Sequence, residues 1–148
     1  MPILRYRTRD LTHLIYEKCR RGRTTVRLGK ILGRSDDMLI IRGVNVFPSQ
    51  IEAILTEFPA FSPQYFITVD RKHNEDTFDL DVELRPDLFS PNPAKQMPFI
   101  KYLYDRLVSV TGIKPNIHIQ PPGTIERSQG KAKHVLDKRD FSDWEKGK

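Results

Sequence analysis

Residues 33–52 hold the side-chain types that could lie against a ligand. The stretch opens with a charged turn, Gly-Arg-Ser-Asp-Asp, which is too polar to belong to a core. A continuous apolar run of strand length, residues 38–41, follows it. Arg42 and Gly43 end that run, and a glycine at such a point lets a ligand or another backbone segment come close. The pattern therefore indicates a point of close approach at Gly43, for which a β-bulge is the structural alternative.

A second candidate is Lys131, which follows Gly130 in a polar loop after the Pro-Pro-Gly sequence at 121–123. An isolated Gly-Lys pair is ordinarily a solvated lysine. The histidines show no metal-ligand spacing, and the single cysteine, Cys19, cannot build a thiolate metal site. No Ser-His-Asp or Cys-His arrangement is supported, so nucleophilic catalysis of those kinds is not predicted.

The elements around these residues follow from apolar periodicity. Strands are predicted over residues 1–10, 24–32, 38–41, 64–69 and 78–84, with a short strand around residues 117–119. In the strand at 78–84, Asp79, Asp81 and Glu83 alternate with apolar residues and are expected to face water. One helix is predicted to begin at Pro48 and a second to cover residues 99–110. Gly112 is predicted to end the second helix. Residues 70–76 read as a polar turn, 86–98 as a loop and 135–141 as a terminal helix.

From residue 38 to 120 the order is strand, helix, strand, strand, helix, strand. This order predicts an α+β fold of the split βαβ (ferredoxin-like) type, a small sheet with helices on one face, preceded by a β-hairpin or strand segment. Such a topology hosts many functions and decides little about activity by itself.

Composition and charge limit the class of protein. A chain of 148 residues with 38% hydrophobic content can form a core, and its one cysteine fits a cytosolic, or cytoplasmic, setting. No secretory signal or membrane-span pattern is present in the sequence. Residues 1–34 carry 10 basic against 2 acidic side chains, residues 35–119 carry 8 against 12, and residues 120–148 carry 7 against 5. Basic ends around an acidic middle favour anionic ligands near the ends, with a solvated charged surface as the alternative.

Three motifs in one order carry a family resemblance. The sequence GRSDDM followed by RGVNVFPS, at residues 33–49, resembles the hinge motif of the adenylate-forming acyl- and aryl-CoA synthetases, and of the phenylacetate–CoA ligase branch in particular. The sequence YRTRD at residues 6–10 lies upstream, and ERSQGK at residues 126–131 lies downstream. Together they span most of the chain.

The resemblance implies a nucleotide-binding role for three residues. Asp10 would accept hydrogen bonds from the ribose hydroxyls of ATP or AMP, which suits an acceptor-only carboxylate. The family's usual glycine before that aspartate is Arg9 here. Arg34 would contact the ribose or phosphate through its donor fork. Lys131 would be the catalytic lysine that reaches the acyl carboxylate and the α-phosphate. The alternative for Asp10 is an ordinary turn aspartate at the end of a strand.

The resemblance also implies domain movement and CoA binding. Asp36 would be the hinge residue, where backbone torsions change between two domain orientations. Arg42 and Gly43 would turn toward the pantetheine of CoA in the second orientation. Asn45 stands where many relatives have an arginine, and we assign it no role. The structural alternative is that Arg34 and Asp36 form a solvated pair within the turn.

On this reading, residues 1–33 are the remnant of a larger N-terminal adenylation domain, and residues 34–148 are the C-terminal lid domain. The implied reaction joins an aryl acid and ATP into an acyl-adenylate, from which CoA then displaces AMP. Magnesium would accompany ATP, bound mainly by the larger domain, which would also hold the phosphate loop and the acid pocket. The chain alone is therefore expected to be inactive. Its expected partners are that domain and these ligands, without nucleic acid or membrane, and homodimer formation stays open.

Two other functions stay open from the sequence. Split βαβ folds with positive charge often bind RNA, although the central strand shows acidic side chains and no RNA-recognition aromatic pattern. A salt-dependent shift with an oligonucleotide would support that function. A small regulatory domain that binds a metabolite is the third class, and it predicts saturable ligand binding without a second domain.

Overall fold

The computed structural model describes residues 4–73, 75–127 and 134–139. The chain divides into two compact units, Met1–Met38 and Leu39–Lys148. Asp36 therefore lies two residues before the boundary between the units.

The first unit contains two short antiparallel ladders. Its strands are β1 (Asp10–Leu11), β2 (Leu14–Ile15), β3 (Arg27–Leu28) and β4 (Gly33–Arg34). β1 pairs with β4, and β2 pairs with β3. The strand predicted over residues 1–10 is wrong for residues 4–9, which lie outside any strand, and the strand predicted over 24–32 shrinks to β3. The reason is that β-forming side chains stabilise a strand mainly by packing, and those of this segment are exposed.

The second unit contains the main sheet and both helices. Its elements are β5 (Leu39–Ile41), β6 (Val44–Val46), α1 (Pro48–Glu57), β7 (Phe61–Lys72), β8 (Glu75–Leu84), α2 (Pro93–Thr111), β9 (Asn116–Gln120) and β10 (Val135–Asp137). The sheet order is β10-β7-β8-β9, and β5 pairs with β6 in a separate hairpin. β7 and β8 are antiparallel, whereas β9 and β10 are parallel to their neighbours. The α+β fold with helices on one face of a small mixed sheet is confirmed.

The fourth strand of the sheet comes from an unexpected place. The segment beginning at Val135 was expected to be helical, but residues 135–137 form β10 alongside β7. An edge strand offers a row of backbone groups for pairing, and β10 takes up that edge. Val135 also packs partly against the core. The strand expected at 38–41 exists as β5, but it pairs with β6 outside the four-stranded sheet.

The turn predicted over residues 70–76 is shorter in the structure, because β7 continues to Lys72 and β8 begins at Glu75, with His73 in the turn between them. Polar residues there pair across the two strands, with Asp70 opposite Thr77 and Arg71 opposite Asp76. Opposite charges facing each other across a ladder stabilise it, so a polar segment remains a strand.

Each helix begins at a proline with a local hydrogen bond at its first turn. In α1 the Gln50 side chain accepts the Phe47 N–H at 3.0 Å. In α2 the Asn92 side chain accepts the Ala94 N–H at 2.9 Å, which is the usual N-cap arrangement. This cap starts α2 at Pro93, within the expected loop 86–98. Gly112, with a φ of 75°, ends α2 as expected.

The core lies between the sheet and the two helices. It is formed by side chains from β5 through α2 to Ile113, and its fully buried members include Ile41, Val46, Ile51, Ile67, Val69, Phe78, Leu80, Val82, Leu103 and Leu107. Both strands of the β5–β6 hairpin contribute to it, so the turn between them is built on a buried base.

Candidate functional site

In the first unit, the structure brings two of the candidate residues opposite each other. Asp10 on β1 is the register partner of Arg34 on β4. Leu11 and Gly33 form the other pair of this two-residue ladder. Asp10 is exposed. A carboxylate and a guanidinium on facing positions of one ladder offer an acceptor and a donor to the same ligand.

Arg34 also binds Asp36 in a two-point ion pair. Its Nε donates to Oδ1 at 3.0 Å and its Nη2 donates to Oδ2 at 2.7 Å. The hydrogen bond from Arg34 is the main reason that the pKa of the Asp36 carboxyl lies below its usual value, against a smaller opposing effect of desolvation. The pair within the turn is therefore formed in this structure, as the structural alternative expected. Asp36 also lies 3.8 Å from Nη1 of Arg9.

Arg9 adopts a backbone conformation that favours glycine. Its φ is 65°, in the left-handed region, and its carbonyl accepts the Ser35 N–H at 2.8 Å. The family resemblance has a glycine at this position. The conformation is thus kept at Arg9, although a side chain makes it less favourable.

In the second unit, Arg42 and Gly43 form the turn of the β5–β6 hairpin, which we call the Arg42-Gly43 turn. Ile41 pairs with Val44 on either side of it. The φ angles are 50° at Arg42 and 78° at Gly43. Positive φ at both central residues is the requirement of a type I′ hairpin turn. The β-bulge alternative for Gly43 is therefore wrong, and both residues are exposed.

A buried aspartate holds this turn. Asp76 on β8 is 7% exposed. Its Oδ2 accepts the backbone N–H of Arg42 at 3.2 Å, and its backbone carbonyl accepts Nε–H of the same arginine at 2.8 Å. Arg71 on β7 donates Nε–H to Oδ1 at 2.9 Å. One residue thus connects the turn to both central strands.

Arg139 completes the arrangement from the other side. It follows β10, and its side chain is only 5% exposed. Its Nη1 donates to Asp76 Oδ2 at 3.1 Å and also to the carbonyl of Ile40 on β5. Its Nε and Nη2 bind the two oxygens of Asp137 at 2.9 and 2.6 Å. We call Asp76 with Arg42, Arg71 and Arg139 the Asp76 cluster.

The Asp76 carboxylate is kept ionised by its neighbours. Desolvation by burial is the largest single effect and would raise its pKa. The hydrogen bonds from Arg71 and the Arg42 N–H, with the charges of Arg139 and Arg71, outweigh that effect and bring the pKa below its usual value. A buried charge of this kind is stable only with such partners.

Sequence reasoning missed Asp76 because it placed the residue in a turn. The alternation that marks the strand does contain the signal. Asp76 has the same parity as Phe78, Leu80 and Val82, whose side chains are all fully buried. If the alternation is extended from Phe78 two residues toward the N-terminus, the Asp76 carboxylate falls on the inward face of the strand, where a buried charge requires a partner of opposite charge.

A cleft of about 540 Å³ lies beside the turn. It is lined by Arg42, Gly43, Arg71, Glu75 and Asp76. A Cβ atom added to Gly43 would meet no other atom within 4 Å. The glycine is therefore required by its φ angle rather than by crowding, and the space beside its backbone is open.

Lys131 lies outside the described residues, but the chain on both sides of it is described. Before it, the Ile125 N–H donates to Glu83 Oε1 on β8 at 2.7 Å. After it, the His134 ring stacks on the Tyr65 ring of β7, with ring centroids 4.4 Å apart. The backbone carbonyl of His134 accepts the Ile67 N–H. Glu83 is 1% exposed, so the expectation that it faces water is wrong. The segment around Ile125 covers it.

Comparison with known proteins assigns the second unit to a family. Residues 43–139 match the family model described as "AMP-binding enzyme C-terminal domain". The chain belongs to this family. The match includes Arg71, Asp76 and Arg139, which are three of the four members of the Asp76 cluster.

Relatives of this AMP-binding C-terminal domain include curated ligases. The chain is 45% identical over 139 residues to phenylacetate-coenzyme A ligase of Pseudomonas putida, covering 94% of this chain and 31% of that protein. A solved domain of phenylacetate-coenzyme A ligase from Bacteroides vulgatus is 31% identical, with a TM-score of 0.64 over 72% of this chain and 96% of that one. The chain therefore spans about a third of the length of the curated ligases it matches.

A solved 2-hydroxyisobutyryl-CoA ligase matches over 94% of this chain and 29% of its own, at 30% identity. The structure of that ligase in the postadenylation state, with an AMP adduct, gives a TM-score of 0.77. The structure of the same ligase in the thioesterification state, with an AMP adduct and CoA, gives a TM-score of 0.68.

Within residues 4–73, 75–127 and 134–139, no group of three or more His, Cys, Asp or Glu side chains is placed to hold a metal ion. No helix among the same residues is long and apolar enough to cross a membrane.

Proposed function

We propose that this chain is the C-terminal part of a longer AMP-forming ligase that converts an aryl acid, ATP and CoA into an aryl-CoA thioester. The observation that carries the proposal is the continuous match of both units, over 94% of the chain, to phenylacetate-coenzyme A ligases. In the first half-reaction a carboxylate oxygen attacks the α-phosphorus of ATP and pyrophosphate leaves. In the second, the CoA thiol attacks the acyl carbon and AMP leaves.

The first unit would bind the nucleotide. Asp10 and Arg34 face each other on one ladder, so a ribose hydroxyl pair and a neighbouring phosphate could be bound at one place. Arg34 would exchange part of its contact with Asp36 for the ligand, because its bond to Asp36 is partly exposed and therefore weakly held. Residues 1–33 would belong structurally to the larger adenylation domain, and residues 34–148 to the lid.

The Arg42-Gly43 turn would meet the pantetheine of CoA. Its support is the open space beside the Gly43 backbone and the cleft lined by the turn. A thin ligand can run along a backbone that carries no side chain, and Gly43 is fixed in place by a hairpin whose base is buried.

Asp36 would be the hinge between the two half-reactions. The chain divides into its two compact units directly after Met38, two residues beyond Asp36, and this nearby boundary supports the proposal.

Lys131 would supply the positive charge of the adenylation step. The attacking carboxylate and the α-phosphate repel each other, and charge develops at the phosphate in the transition state. A lysine on a lid can be present for this step and absent for the next. ATP, with the magnesium that accompanies it, would be bound mainly by the larger domain, and the lysine would need no metal contact of its own.

The RNA-binding alternative has less support from the described sheet. The face expected to receive RNA carries Asp79 and Asp81, hydrogen-bonded to Asn116 and Gln120 of β9. Negative carboxylates on that face oppose phosphate binding.

The test of the proposed function is Lys131→Ala in the full-length ligase, with Lys133→Ala as the control for a nearby lost charge. Adenylation by Lys131→Ala should slow by about a hundredfold or more, the size of one lost preorganised donor. Thioester formation from preformed acyl-adenylate should fall far less, since the lid would have moved the lysine away. Lys133→Ala should leave both rates near those of the parent. Near-parental adenylation by Lys131→Ala would reject the catalytic assignment.

A further inference from the structure

The Arg42-Gly43 turn has an arginine where its geometry prefers other residues. Type I′ hairpin turns strongly favour Asn, Asp or Gly at the first central position, because φ is positive there. Arg42 has a φ of 50°. A side chain that tolerates this conformation poorly persists when its surroundings hold it there. The conformation of this turn is therefore a property of its contacts more than of its own sequence.

Those contacts converge on one residue of β8. Asp76 accepts the Arg42 backbone N–H through its carboxylate and Nε–H of the same residue through its carbonyl. Both the main chain and the side chain of Arg42 are thereby fixed relative to the sheet. The Gly43 backbone follows Arg42 directly, so its direction is set by the same two bonds.

Asp76 is itself held rigidly. Arg71 binds one carboxylate oxygen and Arg139 binds the other, at 2.9 and 3.1 Å. The Arg139 guanidinium also reaches the Ile40 carbonyl and the Asp137 carboxylate, so it joins β5 to the end of β10. Low exposure of Asp76 and Arg139 keeps water from competing with these bonds.

We propose that Asp76 is a positioning residue for the CoA-dependent half-reaction, acting by holding the Arg42-Gly43 turn in the conformation that accepts the pantetheine chain. The inference rests on the proposed function for its ligand, and on the described contacts for its geometry. Asp76 does not touch the reacting atoms. It orders Arg42 and Gly43 before CoA arrives, so that binding does not have to order them.

The test compares Asp76→Asn and Asp76→Ala with Asp87→Asn in the full-length ligase. Asp87 is a matched control, because Arg85 binds it at two points, both at 3.1 Å, but its side chain is 58% exposed. Asp76→Ala should raise the KM for CoA by about tenfold or more, since an ordering cost is added to binding. The rate of adenylation should stay within about twofold of the parent rate. Asp76→Asn should have a smaller effect, because an amide oxygen can still accept the Arg42 N–H.

A second readout does not depend on activity. Hydrogen exchange of the Arg42 amide, measured on the 148-residue chain, should accelerate in Asp76→Ala and stay slow in Asp87→Asn. Arg139→Lys, which keeps the charge but loses the fork of donors, should give an intermediate rate. This variant also keeps the inference testable if Asp76→Ala fails to fold.

The outcomes separate this inference from the proposed function. A raised KM for CoA together with faster Arg42 exchange supports it. Unchanged KM and unchanged exchange in every Asp76 variant would overturn it. If Gly43→Ala and Arg42→Ala raise the KM for CoA while the Asp76 variants do not, the turn binds CoA but Asp76 does not position it. If none of these variants changes the CoA step, the proposed role of the turn fails as well.

Discussion

At the scale of single residues, the chain contains two kinds of charged contact. Arg34 and Asp36 form a two-point pair near the surface, where screening leaves little net stabilisation. Asp76 is buried, and its carboxylate oxygens accept hydrogen bonds from three separate segments of the chain: the Arg42-Gly43 turn, β7 and the residues after β10. Removing one member of a buried cluster leaves other charges without compensation, which commonly costs about 3–5 kcal/mol. The surface pair can therefore be broken at little cost, whereas breaking the Asp76 cluster is costly.

The Asp76 cluster predicts how stability depends on acid. The folded-state pKa of Asp76 lies below the reference value of 3.8. Its ionised form therefore stabilises the fold fully above about that pH, and this contribution is lost as the pH falls through the folded-state pKa. We expect Asp76→Asn to be less stable than the parent at neutral pH and to lose less further stability below pH 3.8.

The measurement is urea unfolding of the 148-residue chain at several pH values. Asp87→Asn is the control, because the Asp87 carboxylate of the parent is exposed. The stability of this variant should follow the parent's pH curve. Parallel pH curves for Asp76→Asn and the parent would show that the buried carboxylate contributes no pH-dependent stability.

At the scale of elements, the segment that carries Lys131 begins and ends on two neighbouring strands. Glu83 on β8 holds the Ile125 N–H, and Tyr65 on β7 stacks on the His134 ring. Tyr65 is the register partner of Val82, which precedes Glu83. The two anchors are therefore near each other on adjacent strands. Both are built on fully or almost fully buried positions of the sheet.

We expect His134→Ala to lower both the stability of the chain and the rate of adenylation. Loss of the ring stack should cost about 0.5–1.5 kcal/mol in unfolding free energy. Adenylation should slow by several-fold, because the segment carrying Lys131 would lose one fixed end three residues away. Thioester formation from preformed acyl-adenylate should change less.

The matched control is His118→Ala, since His118 lies on β9 with a half-exposed ring beside Asp79. Its adenylation rate should equal that of the parent. The anchoring role would be contradicted if both histidine variants lost stability and activity to the same extent, or if His134→Ala affected only the CoA step.

At the scale of the whole molecule, the chain has a boundary after Met38 and corresponds to about a third of its curated relatives. Asp36 lies in the turn closed by the Asp37 N–H and the Arg34 carbonyl, which are 3.3 Å apart. A change of backbone torsion at this point would move everything that follows it. This is the physical basis for the proposed hinge at Asp36.

We expect Asp36→Pro to impair one half-reaction of the full-length ligase more than the other. Proline fixes φ near −65°, so the torsion change is blocked. Asp36→Ala is the matched control, because it removes the carboxylate and the bond to Arg34 but leaves φ free. It should keep both half-reactions within about threefold of the parent, whereas Asp36→Pro should not. Both half-reactions are measured separately by rapid quench. Identical behaviour of the two variants would identify Asp36 as an ordinary turn residue.

Much of the second unit follows from local sequence. The alternation of Phe78, Leu80 and Val82 predicts β8, and Pro48 and Gly112 mark a helix start and a helix end where the structure has them. The end of the apolar run at Arg42 and Gly43 is also visible in the sequence, although the hairpin turn itself was not predicted. These features are local because periodicity and backbone preference act over a few residues. The motif order likewise indicated the family, to which residues 43–139 are now assigned.

The tertiary structure alone decided the contacts between distant segments. Nothing near Val135 indicates a strand, because β10 exists only through the free edge of β7. Arg139 meets Asp76 across 63 positions, and Arg42 meets it across 34. A buried carboxylate requires a cationic partner, but the sequence does not show which of the 25 lysines and arginines lies near it. Folding selects the partners because only the packed sheet brings these strands, the turn and the final segment to one point.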